Sequence, residues 1–340
     1  PDFGIKGVLD RFGQIEPKVL FTADGYFFKG KKFDSLARIS SIIKELPSIE
    51  KVVVVSYTET NPNIAHIPNS ILYQDFMSEQ TGPGTEFEQV PFDHPLYVMY
   101  SSGTTGLPKC MVHSVGGTLI QHLKELKLHT DLKREDTIFY YTTCGWMMWN
   151  WLVSSLALGA TLVLYDGSPF HPDPGILWEM AQDEKITIFG TSARYIAAIE
   201  SEGLKPIRDY DLRNLRAILS TGSPLILESF YYVYRDIKQD VQLSSISGGT
   251  DIIGCFVLGN PIGPVYPGEI QCRGLGMKVE AFDDNGRSVT GRKGELVCIV
   301  PFPSMPIYFW NDPDDKKYLK AYFEKYSGIW THGDFIEITD

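Results

Sequence analysis

Short apolar runs alternate with helix-length amphipathic stretches along most of this chain, and that alternation restricts it to a layered α/β fold with a mainly parallel sheet. Strand candidates fall at 96–100, 137–141, 161–165, 186–189 and 217–219, with helical spacing of apolar residues between them at 117–129, 146–158, 175–183 and 192–201. An earlier strand, helix, strand unit is read at 18–21, 34–46 and 51–55. Its helix would turn Leu36, Ile39, Ile42, Ile43 and Leu46 to one side. The stretch 58–93, rich in Pro, Asn, Gly and Glu, reads as a long surface excursion. After Gly259, Gly and Pro punctuate shorter strands and predict a small antiparallel β-subdomain. The expected division is therefore 1–95, a partial α/β subdomain with the excursion; 96–258, a second α/β subdomain; and 259–340, a small β-rich one.

At 340 residues the chain is long enough for several packed cores. Its formal net charge of -11 disfavours a broad electrostatic grip on nucleic acid or anionic lipid, so no nucleic-acid partner is expected. Any anionic ligand must be held by a local device. Cys110, Cys144, Cys255, Cys272 and Cys298 are odd in number and never form a Cys-x-x-Cys pair, which argues against structural zinc and a disulfide framework and for a reducing, cytosolic setting. No apolar run approaches the length of a membrane span. The chain enters a helix-like stretch, Val8 to Ile15, soon after Pro1 and stops at Asp340 just after an apolar segment, so both ends read as truncations.

The sharpest local signal is Ser101-Ser102-Gly103-Thr104-Thr105-Gly106-Leu107-Pro108-Lys109, directly after an apolar strand. Glycines let backbone N–H groups turn inward, hydroxyls donate and a lysine adds charge, so the run is an anion cradle and phosphate its natural guest. It is not a P-loop, which needs Gly followed at once by Lys and then Ser or Thr. Here Leu107 and Pro108 intervene and Cys110 follows.

This run resembles the signature loop of the acyl-adenylate-forming superfamily, which includes the acyl-CoA synthetases. The resemblance implies further segments in fixed order. Thr221-Gly222-Ser223-Pro224 is similar to the family's adenine-binding turn; taken alone it is a strand-to-helix turn with Ser223 as N-cap and Pro224 at the first helical position. Ser247-Gly248-Gly249-Thr250-Asp251 resembles the motif whose Thr touches phosphate and whose acidic residue helps hold Mg²⁺, with Asp251 where most relatives carry Glu. His332-Gly333-Asp334-Phe335 resembles the motif whose Asp accepts the ribose hydroxyls, a role suited to a carboxylate. By itself each of these last two is a turn. The nucleotide and acyl site is thereby assigned to 96–258, and 259–340 ends at the ribose motif.

Within the superfamily the wording is most similar to the acyl-CoA synthetase branch that activates acetoacetate, through Lys109 to Ser114, Gly116 to Glu125, Gly145 to Trp151 and Ser247 to Asp251. In acetate-activating relatives a Trp two residues before the motif Thr walls off the acyl pocket; Gly248 stands there in this chain. Loss of an indole would free room for a four-carbon acid, each filled methylene contributing about 0.8 kcal/mol. Trp146 and Met147 are expected to line that pocket, whereas Trp149 and Trp151 read as core. The resemblance implies ATP, Mg²⁺ and CoA as cofactor and cosubstrates. It assigns Ser101, Ser102, Gly103, Thr104, Thr105, Gly106 and Lys109 to phosphates, Gly222, Ser223 and Pro224 to adenine, Thr250 and Asp251 to phosphate and Mg²⁺, and Asp334 to ribose. It also places a lid domain, bearing an adenylation lysine, beyond Asp340. The alternatives are a ligase for butyrate or acetate and a truncated, non-catalytic nucleotide-binding protein.

Overall fold

The computed structural model describes residues 3–77, 86–101 and 106–339 and divides into two units, residues 1–91, 100–110 and 166–173 and residues 92–99, 111–165 and 174–340. In the first, a three-stranded parallel sheet places Lys51–Val55 between Val19–Ala23 and Ser70–Leu72. Alternate residues Leu20, Val52 and Val54 face the core shared with Leu36 and Ile42 of the helix Leu36–Glu45. Ser70–Leu72 lies inside the stretch read as an excursion. Three residues are too few to show a period, so the strand is invisible locally. A hairpin, Gly25–Phe28 with Lys31–Asp34, follows the first strand. Asp24 anchors its base, accepting from Thr58 Oγ1 at 2.7 Å and from the backbone N–H groups of Tyr57 and Glu59.

The second unit is built on a five-stranded parallel sheet in the order Gln242–Ser245, Ala217–Thr221, Ile188–Ser192, Thr137–Tyr140, Thr161–Val163. Four of these strands were expected from apolar runs; the edge strand Gln242–Ser245, with its serines, was not. The connecting helices begin where capping chemistry puts them. Ser114 Oγ accepts from Gly117 N–H at the start of Val115–Lys124, and Ser192 Oγ accepts from Tyr195 N–H at the start of Ala193–Ser201. The first of these helices continues as a π-helical turn, Glu125–His129. Below the sheet, Leu126, Ile138, Tyr140, Trp151, Ile188 and Leu219 form one core.

A small antiparallel sheet of Ser247–Gly249, Gly254–Leu258 and Cys272–Arg273 follows. Beyond it stands the β-rich part expected after Gly259, a four-stranded antiparallel sheet in the order Ser288–Val289, Val279–Phe282, Lys293–Cys298, Trp330–Glu337. The helix Lys316–Phe323, not foreseen from sequence, packs its Tyr322 into the core of this region with Trp330 and Phe309.

Candidate functional site

Ligands of open parallel sheets bind at the carboxyl ends of the strands, because only there do loops converge over unpaired backbone groups. The second unit has a cavity of 530 Å³ at that edge, a volume in the range of small-molecule sites. Three segments wall it: Trp146 to Met148 at the start of the helix beyond the strand Thr137–Tyr140, Thr221 to Leu225 at the end of Ala217–Thr221, and Ser245 to Thr250 at the end of Gln242–Ser245. Asp334 and Phe335 approach from the four-stranded sheet. Among the sequence-chosen residues, Trp146, Met147, Gly222, Ser223, Pro224, Gly248, Thr250 and Asp334 all line this one space. A second concavity of 540 Å³, beside Leu319 and Phe323, holds none of them.

Each wall has a physical cause. Gly222 has φ +86°, a left-handed conformation costly to a side-chain-bearing residue, and a Cβ there would come within 3.8 Å of the Trp146 ring. Thr221 Oγ1 donates to the Ile246 carbonyl at 2.9 Å and so ties two adjacent loops together. Ser223 and Pro224 do not cap a helix: the next helix is Leu227–Tyr232, with Ile226 at its N-cap. The helical-cap reading of that turn is therefore corrected, because the chain stays irregular for several residues and leaves the turn facing the cavity.

Gly248 also departs from expectation in its reason for being glycine. A Cβ at this position would meet the Gly254 carbonyl oxygen at 2.0 Å and the Cys255 Cα at 2.5 Å. The two strands approach so closely that any side chain here would push backbone apart. Gly248 lines the cavity, and its smallness is demanded by strand pairing.

The turn after it, Thr250–Ile252, is a 3₁₀ helix closed by Ile253 at φ +44°. Two buried imidazoles hold its carbonyls. His113 Nε2–H donates to Thr250 O at 3.1 Å and His122 Nε2–H to Ile253 O at 2.7 Å, while His122 Nδ1 faces Ser154 Oγ at 2.8 Å. Burial lowers both rings from 6.5 to about 4, so they stay neutral.

Asp251 is buried and does not line the cavity; its Oδ1 accepts from Tyr322 Oη at 2.6 Å. Among the described residues no group of three or more His, Cys, Asp or Glu could hold a metal ion. The carboxylate's orientation toward Tyr322 does not fit a magnesium site built by the protein.

Asp334 is well exposed on the cavity rim, with His332 Nε2 3.6 Å from its Oδ2. The turn that presents it depends on Gly333 at φ +90°, whose N–H donates to Glu295 Oε1 at 3.1 Å. Glu295 is buried and its other oxygen pairs with Lys325 Nζ at 2.7 Å. A register shift between Glu295 and Val297 makes room for this turn within the sheet.

The phosphate-cradle run belongs to the first unit. Ser101 ends the strand Pro95–Ser101 and Lys109 begins Lys109–Ser114. Ser101 Oγ is buried without a hydrogen-bond partner among the described residues. Gly106 has φ +112° with open space where a Cβ would stand. Ser102, Gly103, Thr104 and Thr105 lie outside the described residues.

The profile of the AMP-binding enzyme family matches residues 1–308. The chain belongs to the AMP-binding enzyme family.

Among curated relatives of this AMP-binding enzyme, the acetoacetyl-CoA synthetase of Gallus gallus is 54% identical over 343 residues, covering 99% of this chain and 51% of that protein. The acetoacetyl-coenzyme A synthetase of Rhizobium meliloti (strain 1021) is 54% identical over 341 residues, covering 100% of the chain and 52% of that protein. A solved structure, acetoacetyl-CoA synthetase from Streptomyces lividans, superposes with a TM-score of 0.94 at 45% identity, covering 100% of this chain and 52% of that one. The chain thus spans about half the length of the relatives it matches.

One buried cluster of this AMP-binding enzyme lay outside the sequence reading. Glu125 is fully buried and accepts from Gln121 Nε2 at 2.6 Å, Cys255 N–H at 2.7 Å and Trp151 Nε1–H at 2.8 Å. Lys124 Nζ stands 3.7 Å away. Burial pushes the Glu125 carboxyl up, and Lys124 and the N–H donors oppose that shift.

Proposed function

We propose that this chain carries the nucleotide and acid site of an ATP-dependent acid:CoA ligase that converts acetoacetate, ATP and CoA to acetoacetyl-CoA, AMP and pyrophosphate. The observation that carries the reading is the gathering of Gly222, Thr250, Asp334 and Trp146 around one cavity at the carboxyl edge of the parallel sheet, in a family named for binding AMP. The names of the curated relatives and of the solved structure supply the acid.

In the first step a carboxylate oxygen of the acid attacks the α-phosphorus of ATP; the new P–O bond forms as the bond to pyrophosphate breaks. In the second, the CoA sulfur attacks the acyl carbon, AMP leaves with the bond's electron pair, and the thiol proton goes to solvent. No protein nucleophile is needed. The chain's task is to align two anions that repel one another, through fixed dipoles and hydrogen bonds. By the family resemblance Ser101, Ser102, Thr104, Thr105 and Lys109 of the first unit are assigned to phosphates on their donor chemistry; in the cavity of the second unit, Thr250 is likewise assigned to phosphate. The backbone of Gly222 to Pro224 is assigned to adenine, and Asp334, with its acceptor-only carboxylate, to the ribose hydroxyls. Trp146 Nε1–H is the donor assigned to the 3-keto oxygen, and Met147 the apolar contact.

The cysteine usage favours a reducing, cytosolic setting, and no helix among the described residues is long and apolar enough to cross a membrane. The second reading is a ligase for acetate or butyrate. It is kept by one observation: Gly248 is demanded by strand pairing and so does not by itself select a larger acid. Side-by-side thioester formation by the full-length protein from acetoacetate, butyrate and acetate tests the choice. Acetoacetyl-CoA is expected to form fastest; acetyl-CoA forming fastest would overturn the assignment.

A further inference from the structure

Glu125 is a buried carboxylate whose partners come from the elements that shape the acid side of the cavity. Trp151 lies on the helix Met147–Val153, whose Met147 and Met148 line the cavity. Cys255 lies on the strand Gly254–Leu258, where Gly254 and Cys255 line it too. The carboxylate takes one N–H from each, at 2.8 and 2.7 Å, and a third from Gln121. Contact is close: a Cβ on Gly254 would stand 2.8 Å from Glu125 Oε1.

A buried carboxyl group is an expensive way to fill a core, since well-packed apolar residues of similar volume are often as stable or more so. What a carboxylate adds is geometry. Its two oxygens accept from Trp151, Cys255 and Gln121, so both wall N–H groups point at one centre, which ties the spacing between helix and strand to hydrogen-bond geometry. The π-helical turn that begins at Glu125 sets this side chain inward, and such turns recur at functional sites.

We propose that Glu125 is a positioning residue for acid selectivity: by drawing Trp151 and Cys255 to one carboxylate it sets the width of the acyl end of the cavity, and so favours a four-carbon acid over longer ones. The inference rests on the acid-ligase reading of that cavity and adds to it a residue that touches no substrate.

The test compares Glu125→Gln with the unsubstituted full-length protein, using acetoacetate, butyrate and hexanoate. Gln keeps the volume but offers one acceptor and one donor, so one wall N–H must face another N–H and the walls part. The kcat/KM ratio of acetoacetate to hexanoate is expected to fall about tenfold, the scale on which pockets discriminate by methylene fit. The KM for ATP should stay within about twofold, since the adenine and ribose contacts are untouched. Trp151→Phe removes only the indole donor and should move the ratio in the same direction by a smaller factor. If Glu125→Gln does not fold, the Trp151→Phe ratio decides alone. Equal losses with every acid, or an unchanged ratio, would overturn the proposal. Failure of the underlying reading would look different, because the unsubstituted protein would then not prefer acetoacetate. The same ratio, taken between its preferred acid and one two carbons longer, would still judge Glu125.

Discussion

Tyr322 donates its phenolic hydrogen to Asp251 at 2.6 Å while its ring stacks on Trp330, with centroids 3.7 Å apart and planes 13° from parallel. The motif turn at Thr250–Ile252 is thereby fastened to a helix 71 residues further along the chain. Tyr322→Phe keeps the stack and removes the hydrogen bond to a buried carboxylate. Urea denaturation should show a loss of about 1.5–3 kcal/mol. A loss below about 0.5 kcal/mol would mean that Asp251 finds its support elsewhere.

Gly248→Ala places a methyl group where the Gly254 carbonyl already lies. We expect a stability loss of about 1–3 kcal/mol or more from overpacking. Activity should fall with every acid, and no switch toward acetate should appear, because the strands are forced apart before the pocket is narrowed. A folded, fully stable variant that merely prefers acetate would show that the pocket, and not the strand pair, dictates glycine here.

Protonation of His113 and His122 favours the unfolded chain, in which imidazoles titrate near 6.5, over the folded one, in which burial holds them at about 4. The stability these neutral rings contribute is complete above pH 6.5 and is lost as pH falls toward 4, by on the order of 3 kcal/mol per ring at the lower end. Glu125, shifted upward by burial, acts in the opposite sense. Denaturation midpoints measured between pH 7.5 and 5 should fall with acid. In His122→Gln, which retains an N–H donor toward Ile253 O, the fall should be shallower. Identical slopes in the two proteins would contradict the assignment of a neutral buried His122.

Asp334→Ala should raise the KM for ATP about tenfold to a hundredfold, the range expected for losing hydrogen bonds to a charged acceptor. It should leave the choice among acids unchanged, since Asp334 enters the cavity from the four-stranded sheet and Trp146 and Met147 from the start of the helix Met147–Val153. Unchanged turnover with ATP limiting would remove Asp334 from the ribose site.

Much of the architecture can be read from local pattern. The run Lys51–Val55 is a strand within the bounds its apolar residues suggest, and the helices Val115–Lys124, Met147–Val153, Ile176–Asp183 and Ala193–Ser201 fall on the predicted spacings, because burial on one side is a periodic signal. Ser70–Leu72 escapes because it is short, and Gln242–Ser245 because its serines mask an edge strand whose residues 243–245 are nonetheless buried. Motif order reaches Gly222, Ser223, Pro224, Gly248, Thr250 and Asp334 of the cavity wall, but not Leu225, Ile246 or Val257. Nor does it reach their supports, and the reason is separation: Glu125 meets Trp151 across 26 residues and Cys255 across 130, and Glu295 meets Gly333 across 38. A charged residue on an amphipathic helix reads as solvent-facing until tertiary structure brings its donors to it. Nothing local distinguishes Glu125, fully buried, from Glu135, exposed on the surface.

The central claim is that this cavity activates acetoacetate by adenylation. Purified full-length protein incubated with ATP, acetoacetate and CoA should form AMP and acetoacetyl-CoA in equal amounts, with no AMP when acetoacetate is left out. ADP in place of AMP, or AMP released at the same rate without the acid, would contradict it.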